Sequence, residues 1–154
     1  MHDTSAAGAR VVEGRGAVLL LRTVSVLACL ETLVQGLLAG MLLNGDVDSV
    51  DPHGLNAYFF ELLVFLQVVS GVLLWRRNRG LTWPLWGATG LLAATFAQVG
   101  LGLEGSLAAH VTLGVALCAM ETAFVLRVFT SLTAPPAAPA ASQPAAPQTP
   151  PAAG

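Results

Sequence analysis

Charge is what this 154-residue chain most lacks: only 10% of its residues are charged, against 55% hydrophobic. Soluble domains usually carry about 25% charged residues. With a mean hydropathy of +0.70, the shortage points to a membrane protein before any segment is placed. Lysine is absent, so all seven basic residues are arginine, and isoleucine is absent as well. Together with abundant Ala, Gly, Val and Pro, this bias suggests a GC-rich bacterial genome, by association only. No basic stripe exists to grip phosphate, which argues against a nucleic-acid partner. The two cysteines, Cys29 and Cys118, lie inside apolar runs, where a thiol packs as a small hydrophobe. They make no disulfide framework. There is no CxxCH for covalent haem attachment. HExxH, GxSxG and a phosphate-cradling glycine loop are missing too. An enzyme built on this chain would need a cofactor to supply its chemistry, so enzymatic activity is not expected from the side chains alone.

What is present is apolar length. Four segments, at about 17–43, 53–75, 81–103 and 107–129, are long enough to cross a bilayer. At ~1.5 Å per residue a 23-residue helix covers roughly 35 Å, more than the ~30 Å hydrocarbon core. Spanning backbone must satisfy its hydrogen bonds internally, and no barrel-like alternation is visible. The expected fold is all-α, a bundle of four transmembrane helices. Arg10, Arg15 and Arg22 flank or enter the first segment, Arg76, Arg77 and Arg79 fill the second loop, and Arg127 closes the fourth. The other loops carry only acids: Asp46, Asp48, Asp51 and Glu104. By the positive-inside rule both termini are cytoplasmic, giving a multi-pass protein of the cell membrane. The N-terminal 1–16 reads as a polar cytoplasmic segment without a cleavable signal pattern. Residues 130–154 hold seven of the nine prolines and are expected to form a disordered cytoplasmic tail.

Polar residues inside the apolar runs are the candidate site. His53 opens the second segment and His110 lies about one turn into the fourth. Both segments run from outside to inside, so the imidazoles lie near the outer face at similar depth. Ala57 and Gly114 follow them by one turn on the same face, leaving room beside each ring. Two imidazoles from facing helices are what a bundle needs to hold a noncovalent b-type haem. The same residues are also read as interfacial histidines meeting headgroups, or as part of another polar site. Glu31, Glu61 and Glu121 sit well inside the apolar runs, where an ionised group costs about 2.5–3.5 kcal/mol on insertion scales. With Gln35 and Gln98 they read as a proton path, or as neutral acids hydrogen-bonded between helices to Gln35, Gln67 and Gln98. Gln35 precedes His53 and Gln98 precedes His110, each across glycines and a turn. This is a weak repeat of two helices about an axis along the membrane normal. Gly36 and Gly40 read as a close-packing motif, Trp75, Trp83 and Trp86 as an interfacial belt, and Arg22 as snorkelling to the cytoplasmic face.

The histidine positions, together with AQVGLGLEGSLAAHVTLG around Gln98 and His110, resemble one four-helix half of heme A synthase. That resemblance runs loosely over 17–129. It implies His53 and His110 as axial ligands at the outer ends of helices two and four. The chain departs from the family at Gly54, where arginine usually follows the histidine, and it lacks the paired cysteines of the outer loop and the second half. The chain is also similar to small four-helix integral membrane proteins of actinobacteria, through Gln35, Ala39, Gly40 and the two histidines, a resemblance that implies no activity. The expected function is electron transfer or haem handling by a cytochrome b-like membrane protein, with a membrane redox partner or a second copy as partner. The alternative is a cofactor-free accessory subunit or a small proton-linked transporter.

Overall fold

The computed structural model describes residues 10–133 of the chain. Four long helices make up nearly all of it: α1 (Arg15–Leu43), α2 (Val50–Arg77), α3 (Trp83–Leu103) and α4 (Leu107–Ser131). Each is long and apolar enough to cross a membrane. The shortest, α3 with 21 residues, spans about 31 Å and just covers the hydrocarbon core. Apolar side chains on all four helices face outward, among them Leu37, Leu55, Val115 and Leu126, as lipid contact requires. The chain is therefore an integral membrane protein of the four-helix-bundle class.

Neighbouring helices are antiparallel and pack in a ring, α1 on α2, α2 on α3, α3 on α4 and α4 on α1. This leaves α2 and α4 on one diagonal. At the arginine-rich end two-residue strands pair in parallel, β1 (Arg10–Val11) with β2 (Leu132–Thr133). Both ends of the described chain therefore meet at one face, as the arginine distribution requires. This pairing was not expected, because two residues leave no readable periodicity. Arg22 contributes to the same closure. Its Nη2 donates to the Leu132 carbonyl at 2.6 Å, and its guanidinium lies 4.9 Å from the Phe129 ring. It reaches the inner end as expected, and its hydrogen-bond partner is a backbone carbonyl. Helix α4 continues to Ser131 and the pairing to Thr133, past the expected start of the tail at 130. The segment readings for residues 1–9 and 134–154 lie outside the described residues.

Two turns share one construction. After α1, Gly45 takes φ 94°, and after α3, Gly105 takes φ 71°, a region that favours glycine. Gly45 N–H donates to Leu42 O and Asp46 N–H to Met41 O; Gly105 N–H donates to Gly102 O and Ser106 N–H to Leu101 O. Both are Schellman closures. A 3₁₀ turn, Val47–Ser49, with Asp46 accepting from Asp48 N–H, then leads into α2. Pro52 is accommodated in the first turn of α2, where its missing N–H is not needed.

The burial pattern repeats too. Leu21, Ser25 and Ala28 on α1 are matched by Pro84, Ala88 and Leu91 on α3. On α2, Phe60, Val64, Gln67 and Gly71 are matched by Leu117, Glu121, Phe124 and Val128 on α4. The internal repeat is thus present in packing, with α1–α2 and α3–α4 as its units. The buried positions reach from the inner end of the bundle to Ala28, Phe60, Thr95 and Leu117. Beyond those four residues, toward the outer end, no described helix side chain is buried; only Ser49, in the turn before α2, is.

Close approach occurs at a different glycine from the expected pair. A Cβ on Gly71 would lie 2.8 Å from Leu85 Cα, whereas Gly36 and Gly40 have nothing within 4 Å. The reading of Gly36 and Gly40 as a packing motif is therefore corrected. They lie in the outer half, where the helices make no such contact, and backbone meets backbone at Gly71 between α2 and α3. Of the tryptophans, Trp83 packs edge-on against Phe124 and under Arg127, Trp75 lies under Arg79, and Trp86 faces outward. All three sit near the arginine-rich end.

Candidate functional site

Helix α2 starts at Val50 rather than at His53, because the 3₁₀ turn hands the chain into the helix early. His53 and His110 consequently both occupy the fourth position of their helices. Their rings meet across the α2–α4 diagonal, centroids 6.1 Å apart and planes at 63°. The matched depth read from topology thus becomes direct juxtaposition at the outer end of the bundle.

Each imidazole is held by the helix before it. His110 Nδ1 is 2.9 Å from the Gln98 carbonyl oxygen. A carbonyl only accepts, so the proton is on Nδ1 and the Nε2 lone pair is free. Gln35 Nε2 donates to the His53 carbonyl at 3.1 Å and lies 3.4 Å from His53 Nε2. Gln35 Oε1 accepts from Asn56 Nδ2 at 2.8 Å, which fixes the orientation of the amide. Its N–H groups therefore face His53 Nε2, which must accept, so this proton is also on Nδ1. That Nδ1 is buried without a partner. Both histidines thus present an unprotonated Nε2.

The small residues have different roles from those expected of them. A Cβ on Gly114 would lie 3.0 Å from Gln98 Nε2, so the space beside Gly114 is filled by the Gln98 amide. A Cβ on Gly102 would lie 2.9 Å from His110 Cε1, so Gly102 is what lets that ring lie against α3. Ala57 is half-buried one turn below His53.

The carboxylates do not form one chain with the histidines. Glu31 lies one turn below Gln35, with its carbonyl 3.5 Å from Asn56 Nδ2 and its Oε2 buried and unpartnered. Glu61 turns sideways into a groove of about 280 Å³ between α2 and α3, lined by Tyr58, Leu62, Phe65, Leu92 and Phe96. Glu121 is fully buried in the inner half and accepts from Gln67 Nε2 at 2.9 Å. The structure therefore brings together His53, His110, Gln35, Gln98 and Asn56, places Glu31 at their border, and sets Glu61 and Glu121 apart. Asn56 and Gly102 were missed from sequence. A polar residue three positions after His53 was the available signal for Asn56, since it shares the histidine's face; for Gly102 none exists without the fold.

No third His, Cys, Asp or Glu joins the histidines in a metal-holding group among the described residues. No family model, curated protein or solved structure matches the chain.

Proposed function

We propose that this membrane protein holds one b-type haem near its outer face, with His53 and His110 as axial ligands, and serves in electron transfer or haem handling. The observation that carries the reading is the facing pair of imidazoles with matching tautomers. At ~2.0–2.1 Å per metal–imidazole bond, two rings sharing one ion have centroids roughly 6 Å apart, and the pair here stands at 6.1 Å. Two nitrogens do not complete a bare metal site, whereas a macrocycle that brings its own equatorial nitrogens requires only two protein ligands. The unprotonated Nε2 of each ring and the lack of buried side chains at the outermost ends of the helices fit that group.

Bound there, haem would supply one-electron chemistry. The chain's own residues do the rest. The Gln98 carbonyl fixes the His110 tautomer and ring direction, as supporting shells do for metal ligands. Gln35 and Asn56 steer His53, and with haem bound the Gln35 amide would give up its contact with His53 Nε2. The contact of Gln35 with that lone pair also supports the cofactor-free reading, in which the amide–imidazole cluster simply joins the helices. Haem titration of the purified protein in detergent separates the two. Tight binding at one haem per chain, lost in both His53→Ala and His110→Ala, supports the clamp. Binding that neither substitution alters, or no binding, gives the cofactor-free reading.

A further inference from the structure

The inner half of the bundle contains a polar contact that the histidine site does not use. Gln67 on α2 and Glu121 on α4 are both 0% exposed. Gln67 Nε2 donates to Glu121 Oε2 at 2.9 Å, while Gln67 Oε1 and Glu121 Oε1 are both buried with no partner. The two orphans are the other halves of the same two groups. Terminal torsions of Gln and Glu are soft, so they can turn to face each other at little cost. With an ionised carboxylate they would be two acceptors with no proton between them. With a proton on Glu121 Oε1, that O–H donates to Gln67 Oε1, and one hydrogen satisfies both atoms.

The surroundings favour the neutral form. An ionised carboxylate taken out of water costs several kcal/mol unless a counter-charge and good hydrogen bonds offset it. Among the described residues Glu121 accepts from one donor, the neutral Gln67 amide. Helix α3 carries no titratable side chain from Trp83 to Leu103. On α1 the polar groups in the middle stretch are Ser25, whose buried hydroxyl has no partner, Cys29, 3.6 Å from Thr122 Oγ1, and the acid Glu31; on α2 Glu61 faces the side groove. Arg127 lies over Trp83, Arg79 over Trp75, and Arg22 donates to the Leu132 carbonyl; no described arginine bonds Glu121.

The geometry assigns Glu121 as a proton-binding site: a neutral carboxylic acid closed with Gln67 into a cyclic acid–amide pair between the diagonal helices α2 and α4. Release of the proton breaks the Glu121 O–H bond, leaves the electron pair on Oε1, passes the proton to water or hydroxide, and removes one of the two hydrogen bonds across the diagonal. The same two helices carry His53 and His110, so proton occupancy of Glu121 sets how firmly the helices beneath the histidines are joined. The site requires no haem.

Infrared spectra of the full-length protein in detergent at neutral pH provide the test. The wild type minus Glu121→Gln difference should show a protonated-carboxyl C=O band, with Glu31 and Glu61 cancelling because both proteins retain them. Glu121→Gln keeps an amide–amide pair and should fold. Its thermal midpoint should stay level into the alkaline range while that of the wild type falls. Gln67→Leu should move the carboxyl band to higher frequency, because both hydrogen bonds are lost. No carboxyl band in the difference at neutral pH would overturn the assignment, as would a band that Gln67→Leu leaves unmoved.

Discussion

At the scale of single residues, the site depends on contacts that allow no extra atom. Gly102 and Gly100 lie on the same helix, yet a Cβ on Gly102 meets the His110 ring at 2.9 Å, whereas one on Gly100 meets nothing within 4 Å. Gly102→Ala should push the imidazole off the Gln98 carbonyl. Loss of such a supporting bond typically weakens metal binding by roughly 10–100-fold. Under the proposed clamp, haem affinity should fall accordingly in Gly102→Ala and hold in Gly100→Ala; equal affinities would contradict the support of His110 by Gln98. The juxtaposition of the histidines was legible, because the topology puts both at the outer ends of parallel helices. Their partners were less so. Gln35 and Gln98 could be listed, but that one acts through its side-chain amide and the other through its backbone carbonyl depends on helix rotation, which sequence spacing does not fix.

At the scale of elements, the helices and their ends follow from composition, while their contacts follow from shape. NGD after α1 and EGS after α3 carry the glycine that a Schellman closure needs, and both closures form. Choosing which glycine brings two helices together required the fold. Gly36-x-x-x-Gly40 matches the familiar spacing, yet Gly71 is the one pressed against backbone at 2.8 Å. Gly71→Ala should destabilise by about 1–3 kcal/mol through overpacking, read as a lowered thermal midpoint in detergent, while Gly36→Ala should leave the midpoint in place. The inner closure makes a similar contrast. Arg22→Met removes a charge-assisted hydrogen bond to Leu132 O, of a kind worth about 1.5–3 kcal/mol, and should lower the midpoint. Arg79→Met, which removes only an exposed stacking contact with Trp75, should not.

At the scale of the whole molecule, arginine placement and apolar length were sufficient for a four-helix membrane bundle with both ends at one face. The pairing of Arg10–Val11 with Leu132–Thr133 gives that topology a physical join. Reporter fusions to either terminus should both signal the cytoplasm, and Asp48→Cys should react with a membrane-impermeant thiol reagent from outside. The division of the bundle was not legible. Buried residues run from the inner end to just past the middle of the helices, and the polar cluster occupies outer ends without a buried core. Such a division arises from where helices cross, which hydropathy does not encode. It also separates the two polar centres, the histidine pair at the outer end and Glu121 with Gln67 below.

The haem clamp is tested most directly by the reduced-minus-oxidised absorption spectrum of the full-length protein purified from haem-replete cells. The wild type should show a Soret and an α band, both lost in His53→Ala and in His110→Ala while the bundle still purifies. A wild-type protein without either band would contradict it.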